Sequence, residues 1–271
     1  MVPTRESTQG PHVELLLRLH NSEGHLISPG TFIPAAERFG LMSSLDRWVV
    51  RQVLCEQATA IQAIEGLSVG INLSGNSLDD PLFLPYLLDL IACSPLAPER
   101  LHFELTETAV VSKLSIASRL INRLRELGCK VALDDFGSGL SSFNYLKNFA
   151  VDIIKIDGSF VRHLDTNPLD QTIVASIHHI ARHLGAQTVA EFVESQAAFE
   201  QLQAIGVDYA QGYAIGRPEP FTETLQRLHS TKAAASSALP SRTIKRSSSH
   251  TWSGTGSIQA GPSFFTHGRT L

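Results

Sequence analysis

The chain has 271 residues, of which 43% are hydrophobic and 18% are charged, and its formal net charge is −4. This length predicts one large domain or two small ones, and the composition is that of a globular protein with a sizeable core. The negative charge argues against a general nucleic-acid-binding surface. No apolar run is long enough to span a bilayer and the N-terminus lacks the apolar core of a signal peptide, so the cytoplasm is the expected location.

The three cysteines, Cys55, Cys93 and Cys129, are too far apart to form a Cys-x-x-Cys motif. We interpret them as small buried apolar residues of a protein in a reducing compartment. The eleven histidines show no metal-ligand spacing either. The sequence therefore gives no sign of a thiolate or histidine metal site.

Short apolar segments alternate with amphipathic helical segments at intervals of roughly 20–35 residues, which is typical of a parallel sheet covered by helices. The predicted strands begin at His12, Leu67, Leu101, Lys130, Val151, Gln187 and Tyr209. They are one fewer than the eight strands of a (β/α)8 barrel. We therefore predict an α/β fold, a TIM-like barrel in which one strand is missing or truncated, with two exposed sheet edges.

Two features of the predicted helices are informative. Helical periodicity runs unbroken from Met42 to Ile64, which predicts one long helix there. Three later helices are each followed by a glycine, at Gly128, Gly185 and Gly206, and glycine is the residue that most often ends a helix.

The composition changes near Ser230, beyond which Ser, Ala, Gly and Pro dominate and neither Asp nor Glu occurs. We therefore divide the chain into a barrel, residues 1–230, and a disordered Ser/Ala/Gly-rich tail, residues 231–271. Basic residues of the tail could touch an anionic surface. The favoured interpretation is a passive tail whose removal leaves turnover unchanged.

The stretch from Val131 to Ser142 organises the chain, because an apolar strand there reaches two adjacent acids, Asp134 and Asp135. Neighbouring side chains of a strand point to opposite faces, so the strand has to end at about this point for both acids to act together. Gly137 then lets the backbone bend toward a ligand. A helix cap or turn would explain one acid, whereas two like charges this close favour a bound cation.

Polar side chains also stand in, or at the C-terminal ends of, the other predicted strands, which is the catalytic face of such barrels. The set is Glu14, Asn72, Glu104, Asp134, Asp135, Asp157, Glu191 and Glu194, with Lys155 and Gln211 and without any cysteine or histidine. Oxygen ligands select Mg²⁺, Mn²⁺ or Ca²⁺. Two such ions ~3.5–4 Å apart are suited to in-line attack at phosphorus. A lysine near them can orient the attacking water or help to deprotonate it. Each residue alone is better explained by a capped loop or a surface ion pair. A capped loop or a surface ion pair does not explain acids at several successive strands, because buried acids need a partner.

Several short motifs follow one another in a fixed order along residues 12–220. They are Glu14-Leu15-Leu16, Phe32-Ile33-Pro34-Ala35-Ala36-Glu37, Asn72-Leu73-Ser74, Glu104-Leu105-Thr106-Glu107, Asp134-Asp135-Phe136-Gly137, Lys155-Ile156-Asp157, Glu191-Phe192-Val193-Glu194 and Gln211-Gly212-Tyr213. In this order they resemble the EAL domain family, the cyclic-di-GMP phosphodiesterases. Any one motif is weak, but the whole series is a strong signal.

The resemblance implies hydrolysis of one phosphodiester bond of cyclic di-GMP to linear pGpG, with two Mg²⁺ or Mn²⁺ ions per active site. It implies that one ion is held by Glu14, Asn72, Glu104 and Asp134, and the other by Asp134, Asp135 and Glu191. It implies catalytic roles around the attacking water for Lys155, Glu191, Glu194 and Gln211, a brace for the loop 136–142 from Glu107, and substrate contacts from Arg18, Gly212 and Asp157.

The resemblance also has implications for partners. The substrate would be cyclic di-GMP, a bacterial second messenger whose removal affects biofilm formation and motility. A homodimer would form through the loop after Asp135. No nucleic-acid polymer is expected as a partner, and no membrane span is expected in this chain.

The chain departs from the family pattern in four places. Leu15 replaces the Ala of the motif name, and its side chain should point away from the face of Glu14. Phe192 stands where Gly is common, and Leu140 stands where Tyr is common. The family strand that precedes Glu14 and carries a Gln-Pro pair has only Val2-Pro3 as its nearest equivalent.

Three alternatives stay open from the sequence alone. They are a weakly active or inactive module that senses cyclic di-GMP by binding it, the EAL half of a larger signalling protein, and a non-functional fragment. Because no metal ligand of the family pattern is lost, the active enzyme is the favoured interpretation.

Overall fold

The computed structural model describes residues 1–4, 10–139, 143–148, 150–237 and 263–267. The strands are β1 Val2–Pro3, β2 His12–His20, β3 Leu26–Ile27, β4 Ser68–Asn72, β5 Leu101–Thr106, β6 Lys130–Phe136, β7 Ile153–Ile156, β8 Gln187–Ala190, β9 Tyr209–Ala210, β10 Glu219–Pro220 and β11 Ser263–His267. The α-helices are α1 Pro29–Arg38, α2 Met42–Arg51, α3 Ala58–Gln62, α4 Gly75–Asp79, α5 Phe83–Cys93, α6 Glu107–Ser112, α7 Leu114–Glu126, α8 Gly158–Val161, α9 Pro168–His183, α10 Gln196–Ile205 and α11 Phe221–Ser237. A π-helical turn spans Gln52–Glu56, and 3-10 turns span Pro98–Arg100 and Phe143–Asn148.

Parallel pairing runs through the sheet in chain order, from β2 through β4, β5, β6, β7 and β8 to β9. These strands begin within two residues of the predicted positions. Helices connect consecutive strands, as parallel pairing requires. The predicted α/β class and TIM-like barrel architecture are therefore confirmed.

Antiparallel strands cover both edges of this parallel set. Val2–Pro3 pairs with β9, so a truncated first strand is present. On the other edge β11 pairs with β2, from Ser263 opposite Arg18 to His267 opposite Glu14. The far side of β11 pairs with β10. The edge of β2, which the sequence predicts to be exposed, is thus covered by a segment from the end of the chain.

Two segments of the predicted disordered tail have regular secondary structure. Helix α11 continues through the predicted boundary to Ser237, because Ala233, Ala234 and Ala235 favour helix. Residues 263–267 form β11 instead of coil, because both sides of this segment find strand partners. Residues 238–262 and 268–271 lie outside the described part of the chain.

Alternation along the parallel strands separates two apolar layers. On β6, Val131 and Leu133 face the helices in the main core, while Ala132 faces inward and packs in a small cluster with Ile153 and Val189. The inner cluster lies one layer below the inward-facing polar residues. Leu15 belongs to the outer core, so the expectation that it points away from the face of Glu14 is confirmed.

The predicted long helix from Met42 to Ile64 is wrong in one respect, because the π-helical turn separates α2 from α3. The buried residues Val50, Leu54 and Ala58 recur every four positions. Because a helix has 3.6 residues per turn, residues at this spacing rotate gradually away from one face of a regular α-helix. One wide turn, closed by the bond from Gln57 N to Gln52 O, keeps them on the core side. In the portions of the chain that are described, no helix combines the length and apolarity needed to cross a membrane.

The glycines predicted to end three helices do so in the left-handed conformation. Gly128, Gly185 and Gly206 follow α7, α9 and α10 with φ of 96°, 73° and 100°. The interpretation of the cysteines holds only for Cys129, which is buried, whereas Cys55 and Cys93 are exposed.

Candidate active site

Lys155 is the centre of a ring of carboxylates inside the sheet. Its side chain is 1% exposed, and its Nζ lies 2.6 Å from Glu104, 2.8 Å from Glu191, 3.1 Å from Asp134 and 3.5 Å from Glu14. These residues stand on β2, β5, β6 and β7 or directly after β8. Inward-facing side chains of neighbouring parallel strands thus meet at one end of the sheet, as the sequence pattern predicts.

Two amides hold Glu14 from the other side. The Asn72 Nδ2 donates to Glu14 Oε1 at 2.8 Å, and the Gln211 Nε2 donates to Glu14 Oε2 at 2.5 Å. With both amide NH₂ groups bound to Glu14, their amide oxygens are left to accept from or coordinate other groups. The Gln211 Oε1 is buried and has no hydrogen-bond partner among the described residues.

The adjacent acids Asp134 and Asp135 reach the same site although they stand on one strand. Asp135 has a φ of 52°, and the register of β6 against β7 shifts between Leu133 and Phe136. The strand therefore continues to Phe136, which corrects the expectation that it ends at the acids. The bulge and the left-handed residue turn the second carboxylate back toward the first. Oxygens of Asp134, Asp135 and Glu191 all lie within 4.8 Å of one another.

One ammonium faces four carboxylates in this cluster, and the imbalance shows in the pKa values. Burial raises the pKa of Glu104 to about 8. The ammonium of Lys155 lowers this pKa, but the negative charges of Glu14 and Asp134 raise it further, so Lys155 offsets the increase only in part. Burial likewise raises the pKa of Glu191 well above its usual value. Burial would lower the pKa of Lys155, but the surrounding carboxylates raise it well above the ordinary range. The arrangement lacks positive charge.

Divalent cations fit this donor set. It consists of carboxylate and amide oxygens, which hard cations prefer. Glu104 Oε2 lies 2.6 Å from the ammonium of Lys155, but that ammonium has only three protons for the four carboxylates around it. Cations would satisfy such acceptors and offset the excess of negative charge.

The metal-free protein is expected to become less stable as the pH rises from about 5 to about 8.5. Glu104 binds its proton more tightly in the folded state than at its ordinary pKa of 4.5, so the folded state gains stability at low pH and loses it as the pH passes about 8. The loss should reach roughly 2–4 kcal/mol. Thermal melting in EDTA across this range measures it.

The matched variant for this measurement is Glu104→Gln. It removes the contribution of Glu104, while Glu191, whose pKa is also raised, retains its own contribution, so the variant should weaken the dependence on pH. Saturating Mg²⁺ should flatten it in the unaltered chain, since a bound cation stabilises the ionised acid. A melting temperature that rises with pH in EDTA would contradict the assigned charge imbalance.

Glu107 lies beside this cluster and holds the chain that follows Asp135. It is 1% exposed, its Oε2 accepts from Gly137 N at 2.9 Å, and its Oε1 accepts from the Tyr145 hydroxyl at 2.9 Å. The contact with Gly137 is the kind of contact that the predicted brace of the loop 136–142 requires. Residues 140–142, including Leu140, lie outside the residues that the structure describes. Sequence reasoning missed Tyr145, since no motif or spacing links it to Glu107.

Two of the predicted substrate-contacting residues, Asp157 and Arg18, are not among the residues that form ion pairs with Lys155. Asp157 caps α8 by accepting from Ser159 N at 2.9 Å, and its charge contributes to raising the pKa of Asp135. Arg18 is half-buried on β2 beyond Glu14, and burial lowers the pKa of its guanidinium, an effect that the nearby Tyr213 partly offsets.

Two further predicted residues have different surroundings. Glu194 is exposed and makes no hydrogen bond or ion pair with any described residue, so the structure does not bring it into the cluster. At Gly212 an added Cβ would lie 2.2 Å from Val193 N, so only glycine fits this close approach of two backbones.

Phe192 follows Glu191 in a left-handed conformation, with a φ of 52°. This explains why a glycine is common there in the family pattern, since other residues pay about 1–3 kcal/mol for such a backbone. Its ring packs on Gly158, where an added Cβ would be 2.3 Å from the ring, and Arg162 lies 4.7 Å from the ring centroid. These contacts offset part of the strain.

Two histidines lie one layer below the acids, although sequence reasoning placed no histidine in the strand series. The rings of His12 and His102 face inward from β2 and β5 with centroids 4.6 Å apart. Burial and the neighbouring His102 ring lower the pKa of His12 well below its usual value. Strand alternation could have identified both, because each stands two residues before an inward-facing glutamate.

The comparisons with known proteins agree with this geometry. A sequence model of the family described as "EAL domain" matches residues 3–218. The cyclic di-GMP phosphodiesterase PdeB of Shewanella oneidensis is 42% identical over 79% of this chain and 25% of the relative, and PdeF of Escherichia coli is 40% identical over 82% of this chain and 30% of the relative. The chain thus spans only a quarter to a third of the length of these relatives.

Solved structures resemble the chain over a similar extent. The PaMucR phosphodiesterase in complex with c-di-GMP superposes with a TM-score of 0.74 at 30% identity, covering 80% of this chain and 89% of that one. The FimX EAL domain from Pseudomonas aeruginosa bound to c-di-GMP gives a TM-score of 0.74 at 33% identity, covering 80% and 87%.

Proposed function

The chain belongs to the EAL domain family, and from that premise we propose that it hydrolyses one phosphodiester bond of cyclic di-GMP to linear pGpG. The observation that carries the proposal is the excess of buried carboxylates around Lys155. Binding of c-di-GMP by structural relatives and the phosphodiesterase names of sequence relatives support the substrate.

We propose two divalent cations, Mg²⁺ or Mn²⁺, in this cluster. One would be held by Glu14, Asn72, Glu104 and Asp134, and the other by Asp134, Asp135 and Glu191. The close grouping of the Asp134, Asp135 and Glu191 oxygens supports the second set. When bound, such cations polarise phosphoryl oxygens and lower the pKa of a bound water.

The other residues of the chain then have roles in positioning. Lys155 holds Glu104 and Glu191 in place and would orient the attacking water, with Glu194 at the exposed side. Gln211 holds Glu14 through its amide and offers its free Oε1 to the same site. Arg18 would contact a substrate phosphate, and Asp157 and the backbone at Gly212 would line the remaining substrate surface.

We also propose a cytoplasmic protein that forms homodimers through the loop after Asp135. Glu107 is suited to such a role, because its Oε2 accepts from Gly137 N, near the start of that loop. A dimer that contacts the loop would then act on the neighbouring Asp134 and Asp135. Sedimentation of the purified chain, with and without Mg²⁺, measures the oligomeric state.

The test of the proposed function is product analysis on the purified chain with cyclic di-GMP. We expect pGpG in Mg²⁺ or Mn²⁺ and none in EDTA. Binding of cyclic di-GMP that needs no cation and yields no pGpG would instead support a sensor module. A chain that neither melts cooperatively nor responds to ligand would be a non-functional fragment.

Replacing Tyr145 by Phe is expected to lower turnover about tenfold and to destabilise the fold by about 1–2 kcal/mol. The change removes the hydroxyl that donates to Glu107 Oε1 and leaves a buried carboxylate oxygen without that partner. Steady-state turnover and thermal melting measure the two effects.

The control for this variant is Tyr86→Phe, whose hydroxyl donates to Arg47 O at 3.3 Å on the outside of the sheet. It should cost a comparable amount of stability and leave turnover unchanged. If Tyr145→Phe and Tyr86→Phe have the same turnover, the hydrogen bond between Tyr145 and Glu107 has no role in the reaction.

A further inference from the structure

Asp46 is a buried carboxylate on α2, a helix that packs outside the sheet. It is 5% exposed, and among the described residues no lysine, arginine or histidine forms an ion pair with it. Its Oδ2 alone accepts three hydrogen bonds, from Ser74 N at 2.8 Å, Ser74 Oγ at 2.7 Å and Ser77 Oγ at 2.6 Å. A buried charge without a cation is costly, so this concentration of donors on one oxygen calls for an explanation.

The three donors lie where the chain leaves β4. Ser74 caps α4 by accepting from Ser77 N and is two residues beyond Asn72. Between them, Leu73 N donates to Glu104 O at 2.9 Å. The Asn72 amide in turn donates to Glu14. The position of Ser74 therefore sets where the Asn72 amide stands relative to Glu14.

Helix α2 holds α4 at its far end as well. Ser43 Oγ and Arg47 Nη2 donate to Asp80 Oδ2 at 2.6 and 2.8 Å. This second contact fixes α4 on α2 but lies away from Asn72 along the chain. The contact at Asp80 therefore holds α4 on α2 without holding the end of β4, whereas the contact at Asp46 holds both.

We propose that Asp46 is a positioning residue for Asn72 and thereby sets the affinity of the active site for the divalent cation at Glu14. This inference rests on the proposed function, because that function places a cation there. Asp46 acts through hydrogen bonds to Ser74 and Ser77, which fix the exit of β4. It touches neither substrate nor cation.

Replacing Asp46 by Ala should raise the Mg²⁺ concentration for half-maximal turnover about tenfold, the range measured when residues behind metal ligands are changed. Turnover at saturating Mg²⁺ should stay within about twofold, because all proposed ligands remain. The conservative Asp46→Asn keeps an acceptor for the three donors and should recover most of the affinity. A defect of folding alone would also be relieved by added cation, because cation binding stabilises the folded state, so thermal melting at each Mg²⁺ concentration is used to confirm that Asp46→Ala is folded.

Asp80→Ala is the matched control, since it removes the other carboxylate that joins α2 to α4. It should lower the melting temperature and leave the Mg²⁺ requirement unchanged. Equal shifts in Mg²⁺ requirement for Asp46→Ala and Asp80→Ala, or no shift for Asp46→Ala, would overturn the inference.

A titration of metal-free protein with Mn²⁺, followed by electron paramagnetic resonance, separates this inference from the proposed function. If the unaltered chain binds Mn²⁺ but yields no pGpG, the proposed function fails alone, and weaker Mn²⁺ binding by Asp46→Ala still supports the role of Asp46. Unchanged Mn²⁺ binding by Asp46→Ala would refute that role whatever the turnover.

Discussion

Replacing Asp134 by Asn is expected to lower turnover of cyclic di-GMP by at least about 10³-fold. Asp134 stands between Lys155, 3.1 Å away, and the carboxylates of Asp135 and Glu191. It is the one residue that both proposed cation sites share. Losing its charge removes about 4 kcal/mol or more of transition-state stabilisation, which is within what a bound cation supplies.

The measurement is single-turnover hydrolysis with the protein in saturating excess over substrate and with saturating Mg²⁺, and Asp165→Asn is the control. Asp165 is an exposed acid without a hydrogen bond or ion pair to the described residues, so its replacement should leave turnover unchanged. Thermal melting of Asp134→Asn in EDTA should show no loss of stability, because the change relieves crowding of like charges. If Asp134→Asn keeps more than a tenth of the activity, the cation assignment is wrong.

The members of this site could be predicted because strand alternation and chain order are local properties of the sequence. Glu14, Glu104 and Lys155 stand within apolar strand segments, where a charged residue has to face a partner. The sequence predicts that Asp134 and Asp135 converge, but it predicts an end of the strand, whereas the structure has a bulge and a left-handed Asp135. A left-handed residue inside a strand leaves no compositional trace when it is an aspartate instead of a glycine.

The residues that support the site were not predictable in the same way. Tyr145 donates one hydrogen bond to Glu107, and Asp46 accepts three from Ser74 and Ser77; both sets of partners lie far away along the chain. Asp46 lies on the buried face of α2 with Met42 and Val49, but helical periodicity does not indicate which donors a buried acid will meet. Such contacts are decided by how helices pack on the sheet, which local propensity does not determine.

The sequence predicts the parallel part of the fold well, since each of its strands is a short apolar segment followed by a helix. It fails at β11. Ser263 to His267 is a short segment with two Phe and one Thr, inside a stretch whose composition otherwise indicates disorder. Strand formation there depends on the open edge of β2, and that edge comes from the other end of the chain.

Removing residues 238–271 is therefore expected to lower the melting temperature by about 5–10 °C and to lower turnover, in contrast to the passive tail that composition favours. Truncation after Ser237 uncovers the edge of β2 from Glu14 to Arg18 and that of β10. Losing the backbone bonds on both sides should cost about 2–3 kcal/mol, which corresponds to such a shift in a domain of this size. Hydrogen exchange along β2 should rise at the same time.

A proline within the strand tests the same contact in the full chain. β11 lies between β2 and β10, so Phe265→Pro removes a backbone donor that faces one neighbour or the other. Ser253→Pro, in the same low-complexity stretch, is the control and should leave the melting temperature unchanged. If truncation and Phe265→Pro leave melting, exchange along β2 and turnover all unchanged, β11 does not stabilise the sheet. Because Glu14 is on the strand that β11 covers, we expect turnover to fall together with protection of β2.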